Sequence, residues 1–266
     1  MTSEEIFARL WRQYIQDNPD AAKIHRLLSD LGETVVNDHI ALRTFNDERV
    51  NVDALAQPFI NNGYRECGQY DFPVKKLFAK HYEHDEPNFP KVFISELLLE
   101  KFSTDLIRTV KTTLNNIPKN LIGNVELLFS GASWSPLSYA TYKALLTESE
   151  YAAWIYAYGF RANHFTVNVN ALTSFQEVSE LNDFLIEKGF TLNSAGGNIK
   201  GTPADYLEQS STLAEERNMM FGNEEHAIPS CYYEFAKRYP LPSGELFNGF
   251  VAASADKIFE STDTKK

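Results

Sequence analysis

Two histidines in related words carry the first chemical signal in the sequence. His39 lies in Asn37-Asp38-His39 and His164 in Ala162-Asn163-His164. Each is followed, much later, by a glutamate inside an apolar word: Glu96 in Ile94-Ser95-Glu96-Leu97, and Glu234 in Tyr232-Tyr233-Glu234-Phe235. Side chains alternate faces along a strand. As strands, these segments put His39, Ala41, Arg43 and Phe45 on one face, His164, Thr166, Asn168 and Asn170 on another, and Glu234, Ala236 and Arg238 on a third. Two of the three thus present a ligand-type residue with an arginine four positions along. Two neutral imidazoles and one carboxylate on converging strands form a facial ligand set for a divalent metal. Such a set leaves three positions open, an arrangement that suits non-haem Fe(II) oxygen chemistry.

Other constellations are weaker. The stretch His81-Tyr82-Glu83-His84-Asp85-Glu86 is dense in potential ligands, but its polar, turn-like setting before Pro87 reads as a solvated hairpin end. Ser130-Gly131-Ala132-Ser133-Trp134 lacks the nucleophile elbow of an esterase. Gly196-Gly197-Asn198-Ile199-Lys200-Gly201 is neither a dinucleotide fingerprint nor a phosphate-binding loop. Cys67 and Cys231 have no local motif of a nucleophile, and His25 and His226 read as structural or exposed.

The elements that must position the histidines form a repeated order. Ile6, Leu10, Trp11, Tyr14 and Ile15 recur at helical spacing, and Asp17-Asn18-Pro19 opens a second helix carrying Ile24, Leu27, Leu28 and Leu31. A strand is expected over 35–45, a helix over 52–62 closed by Gly63, and strands near 66–72, 75–82 and 92–99. A helix over 104–117, an apolar strand at 125–129 and helix over 138–158 lead to a second round. That round has a strand at 163–170, a helix at 175–188 closed by Gly189, and strand-prone pieces near 190–193, 207–221 and 231–239. Strand, helix, then several strands appear twice, which suggests a duplicated βαβββ unit. The longer second copy needs a longer loop, somewhere in 196–229.

Composition excludes several classes of function. The 266 residues carry 25 Lys and Arg against 36 Asp and Glu, a net charge of −11, which argues against nucleic acid and anionic membrane surfaces as partners. The longest apolar stretch, around 152–160, falls well below the roughly 18 residues of a membrane span. No basic segment leads into an apolar one near the first residues, and two cysteines suit a reducing compartment, so a cytoplasmic protein is expected. With 43% hydrophobic residues the chain can bury a core, and a single metal-binding domain over 1–266 is expected, with modules near 33–103 and 160–240.

Taken together, Val36-Asn37-Asp38-His39-Ile40-Ala41-Leu42-Arg43-Thr44-Phe45, Ala162-Asn163-His164-Phe165-Thr166 and Tyr232-Tyr233-Glu234-Phe235-Ala236 resemble the 2-oxoadipate dioxygenase/decarboxylase family. The resemblance runs from about residue 5 to 245. It implies the α+β architecture of the vicinal oxygen chelate superfamily, with paired βαβββ modules in a half-open barrel plus N-terminal and inserted helices. It also implies His39, His164 and Glu234 as ligands of Fe(II), and Arg43 in the substrate pocket. The implied reaction consumes O2 and a 2-oxo dicarboxylic acid, releases CO2 and yields a 2-hydroxy acid. Strand geometry alone adds Arg238 as a second carboxylate partner, with a surface ion pair as the equal alternative. Glu96 takes the fourth quasi-equivalent position, either orienting a histidine or serving as an unrelated structural carboxylate. Two other readings stay open: a glyoxalase-type isomerase, lyase or hydrolase, and a metabolite-binding module without catalysis.

Overall fold

The computed structural model describes residues 1–86 and 88–251, so Pro87 and the last fifteen residues of the expected 1–266 domain lie outside the described residues. Two helices open the chain, α1 (Ser3–Asp17) and α2 (Pro19–Asp30). Thr2 and Glu5 form a capping box on α1, and Pro19 starts α2 where its missing N–H costs nothing.

The first module follows as β1 (Asn37–Phe45), α3 (Val52–Ile60), β2 (Tyr64–Phe72), β3 (Leu77–His84) and β4 (Lys91–Leu97). Three connecting helices come next, α4 (Thr104–Asn115), α5 (Tyr139–Glu148) and α6 (Glu150–Tyr158). The second module is β5 (Ala162–Asn168), α7 (Val178–Glu187), β6 (Lys200–Thr202), β7 (Leu207–Ser211) and β10 (Glu234–Arg238). A hairpin of β8 (Glu216–Phe221) and β9 (Glu224–Pro229) is inserted before β10, and it supplies the extra length expected in 196–229.

Eight strands form one sheet in the order β2-β3-β4-β1-β5-β10-β7-β6, curled into a half-open barrel. Within each module the first strand pairs parallel with the last, β1 with β4 and β5 with β10. The two modules meet where β1 and β5 pair antiparallel. This is the duplicated βαβββ order read from the sequence.

Helices α1, α3 and α7 cover the convex face. Trp11 and Tyr14 of α1 pack on Phe165 with ring centroids 5.1 Å apart in each case. Val52, Leu55, Ala56 and Phe59 line the buried side of α3, and Val178, Leu181 and Leu185 that of α7. Helix α6 is buried from Tyr151 to Tyr158, as an all-round apolar helix must be.

Two expectations need correction. The run Val125–Phe129 is a 3-10 helix and not a strand: Asn124 caps the Glu126 N–H, and Leu127 and Leu128 are buried. A short apolar run has no period that separates the two forms. The helix expected over 138–158 is two helices, because Ser149 takes an extended conformation and caps the Ala152 N–H.

Candidate metal centre

The concave face is built around the β1–β5 pair. His39 lies opposite Thr166 and Ala41 opposite His164, while Glu234 on β10 is the parallel partner of Thr166. Paired residues share a face, so His39, Thr166 and Glu234 form one row across three strands, with His164 beside it. The structure brings His39, His164 and Glu234 together, with ligand atoms all within 4.8 Å of one another. Glu234 Oε2 is 3.2 Å from His164 Nε2, and Oε1 is 3.6 Å from His39 Nε2. All three residues are buried.

Two β-bulges aim the imidazoles. The register shift between Asn37 and His39 leaves Asp38 as an extra residue on β1, and that between Ala41 and Leu42 leaves Asn163 extra on β5. A bulge lets neighbouring side chains turn toward the same side. Each extra residue then holds the histidine that follows it: Asp38 Oδ1 is 2.8 Å from His39 Nδ1, and Asn163 Oδ1 is 3.2 Å from His164 Nδ1. Holding Nδ1 from behind fixes the tautomer and leaves Nε2 facing the cluster. The Thr166 hydroxyl lies 3.1 Å from His39 Nε2. Tyr232 stacks on the His164 ring at 4.7 Å, and Phe250 sets its edge against His39 at 4.8 Å.

Electrostatics favour neutral imidazoles. Burial pushes both histidines below their ordinary value; for His39 the neighbouring Asp38 works against that shift. Burial alone would raise Asp38, but the Arg238 guanidinium and the bond to His39 hold it well below the carboxylate range. Glu234 is pushed up to about 8 by burial, against a hydrogen bond donated by the Gln209 amide.

These residues fit a divalent cation. Glu234 Oε2 is buried and has no hydrogen bond, although it faces two imidazole nitrogens. A cation held by His39, His164 and Glu234 would satisfy that oxygen and keep Glu234 ionised. Loading at pH 7 is therefore expected to release about one proton, because ligands must deprotonate to bind. Calorimetry in buffers of different ionisation enthalpy checks this. Without metal, the same shift lowers stability as pH rises from about 4.3 toward 8, since the unfolded carboxyl loses its proton first.

Two expected site residues are placed elsewhere. Glu96 does not orient a histidine. It pairs with Thr44, one step out of phase with Arg43, and its carboxylate accepts the Val52 N–H at the start of α3. The residue equivalent to Glu234 is Phe93, which pairs with Ala41 as Glu234 pairs with Thr166. An offset of three residues from Phe93 to Glu96 reverses the face.

Arg238 is not aimed at a substrate either. Its Nε and Nη2 clasp Asp38 at 2.6 and 2.9 Å, and Nη1 donates to the carbonyls of Phe247 and Gly249. Arg43 is buried two residues beyond Ala41, with its guanidinium 5.0 Å from the Tyr151 ring and 5.2 Å from that of Trp154, and its charge acts on His164.

The roles of Asp38, Asn163, Gln209 and Thr166 were not read from the sequence. For the first two the signal was present, as a polar residue directly before the histidine in both copies. The stretch His81–Glu86 is a solvated hairpin end only in its last part: Asp85 and Glu86 are exposed past β3, whereas His81 is 2% exposed on that strand. Among the described residues no helix is long and apolar enough to cross a membrane.

Comparison with known proteins identifies the family. A protein of Arabidopsis thaliana named 2-oxoadipate dioxygenase/decarboxylase, chloroplastic, is 33% identical over 97% of this chain and 76% of its own length. The structure of a rice (Oryza sativa) hydroxyglutarate synthase in complex with 2-oxoadipate superposes with a TM-score of 0.91 at 30% identity, covering 98% of this chain and 91% of that one. A Shewanella frigidimarina structure, provisionally described as a hydrolase, gives 0.90 at 49% identity over 94% and 98% of the two chains. The profile of the 2-oxoadipate dioxygenase/decarboxylase family matches residues 6–247, and the chain belongs to that family of enzymes.

Proposed function

We propose that this chain binds Fe(II) at His39, His164 and Glu234. There it converts a 2-oxo dicarboxylic acid resembling 2-oxoadipate into a 2-hydroxy acid, with uptake of O2 and loss of CO2. The observation that carries the reading is the buried cluster of two imidazoles held from behind and one carboxylate with an unsatisfied oxygen. Bound there, ferrous iron would supply a Lewis-acid seat for the keto acid and electrons for O2. The rice relative solved with 2-oxoadipate supports the substrate class.

The chain's own part is positioning. Arg43 pairs with a substrate carboxylate through its planar fork and fixes which carbon faces the cluster. Tyr151 and Trp154 hold that guanidinium in place, and Tyr151 is itself pinned by bonds to Ser95 and to the Thr44 N–H. Gln209 donates to Glu234 Oε1 and so leaves Oε2 as the outward oxygen. Tyr232 and Phe250 line the histidine rings with aromatic surface and exclude water from their faces.

Oxygen-electrode measurements with Fe(II)-loaded protein and a panel of 2-oxo acids test the reading. Consumption of O2 matched by CO2 release and a 2-hydroxy acid product supports it. Turnover without O2 consumption would instead assign a glyoxalase-type reaction, and no turnover with any acid would leave a binding module. Arg43→Lys is expected to lower kcat/KM about 10²- to 10³-fold, or about 2.7–4 kcal/mol, because an ammonium cannot form the bidentate pair. Steady-state kinetics on the best acid measures it, with most of the loss expected in KM.

A further inference from the structure

A third β-bulge lies outside the centre just described. In the β2–β3 pair Glu66 faces Tyr82 and Gly68 faces His81, which leaves Cys67 as the extra residue. Cys67 Sγ, a ring nitrogen of His81 and a carboxylate oxygen of Glu83 lie within 4.8 Å of one another. His81 Nε2 is 3.0 Å from Glu83 Oε1, the same approach of imidazole to carboxylate that His164 and Glu234 make at 3.2 Å. The other ring nitrogen, Nδ1, is 2.9 Å from the Tyr70 hydroxyl, so this imidazole is also held from behind. Gly68 makes room for it, since a β-carbon there would come within 2.8 Å of the His81 ring.

We propose that Cys67, His81 and Glu83 form a second cation site, for a thiophilic divalent ion of the zinc type. The donors are one sulfur, one nitrogen and one oxygen, where the His39–His164–Glu234 centre offers only nitrogen and oxygen. Thiolate selects softer ions, and three protein ligands leave a fourth tetrahedral position open. Cys67 is exposed while His81 is buried, so the open side faces solvent. On binding, the Cys67 thiol gives up its proton to solvent. The nearby cations are Arg65, Lys91 and Arg238; Asp85 pairs with the first and Asp38 already clasps the last. Phe250 touches both His39 and His81, at 4.8 and 5.3 Å, so one ring borders both sites.

Cobalt(II) titration of the metal-free, full-length protein in a non-coordinating phosphine reductant tests the site. Two ions per chain are expected, one of them bringing a near-ultraviolet sulfur-to-cobalt absorption. Cys67→Ser removes that band and one ion, whereas Cys231→Ser keeps both. His39→Ala keeps the band while losing the other ion, so the two sites report separately whatever the catalytic reaction is. A wild-type chain that takes no sulfur-ligated cobalt, or a band that survives Cys67→Ser, overturns the proposal.

Discussion

Replacing Glu234 by Gln is expected to abolish metal retention while leaving the fold intact. Glu234 is the single anionic member of the cluster, and both imidazoles are held neutral by burial. A divalent cation in a buried pocket with only neutral donors would carry uncompensated charge, which is costly away from water. Gln keeps the size of the side chain, so the packing around residue 234 changes little. In the metal-free protein the cost is small or even negative, because a carboxyl pushed up to about 8 is already paying for its burial.

Elemental analysis after dialysis should therefore show metal content falling close to zero. Turnover should fall at least about 10³-fold, which is about 4 kcal/mol in the barrier. Thermal unfolding of the metal-free variant should match or exceed that of the metal-free parent. His39→Ala should lose metal in the same way, since its Nε2 belongs to the same cluster. A Glu234→Gln protein that keeps its metal and full turnover removes this carboxylate from the centre.

Periodicity and word repetition made much of this architecture legible, and the reasons are local. The βαβββ order could be read because Val52, Leu55 and Phe59 recur at helical spacing between strands of alternating character. The histidines could be paired because their flanking words match. Glu96 was misassigned because matching words fix no register: only the β1–β4 pairing shows that Phe93, and not Glu96, faces the cluster. Arg238 was misread for a related reason. Strand alternation places it on the concave face, but its partner Asp38 reaches that side through a bulge, and bulges leave no clear mark in a single sequence. His81 was taken for a turn residue because charged neighbours surround it, while its burial depends on Gly68 across the strand pair.

Asp38→Asn is expected to cause the second large effect, and to do so twice over. Asp38 joins two functions: it takes the Arg238 fork in a bidentate pair, and it holds His39 Nδ1. Removing its charge leaves Arg238 buried beside a neutral amide, and breaking such a pair on one side costs about 3–5 kcal/mol. At about 2–4 °C per kcal/mol for a chain of this size, the melting temperature should fall by roughly 6–20 °C. Because Asp38 is held far below the ordinary carboxylate range, its contribution is complete above about pH 4 and is lost only on further acidification.

The second effect is on the metal. With Asn at 38 the grip on His39 weakens, and metal affinity should fall about 10- to 100-fold, as for other groups that orient a ligand. Combining Asp38→Asn with Arg238→Met separates the two. Removing the stranded guanidinium should restore most of the stability, since neither charge is then buried alone, yet the metal affinity should stay low because a neutral amide still grips His39 less firmly than the carboxylate did. If the double variant recovers affinity along with stability, Asp38 acts only through the fold and not through the imidazole it touches.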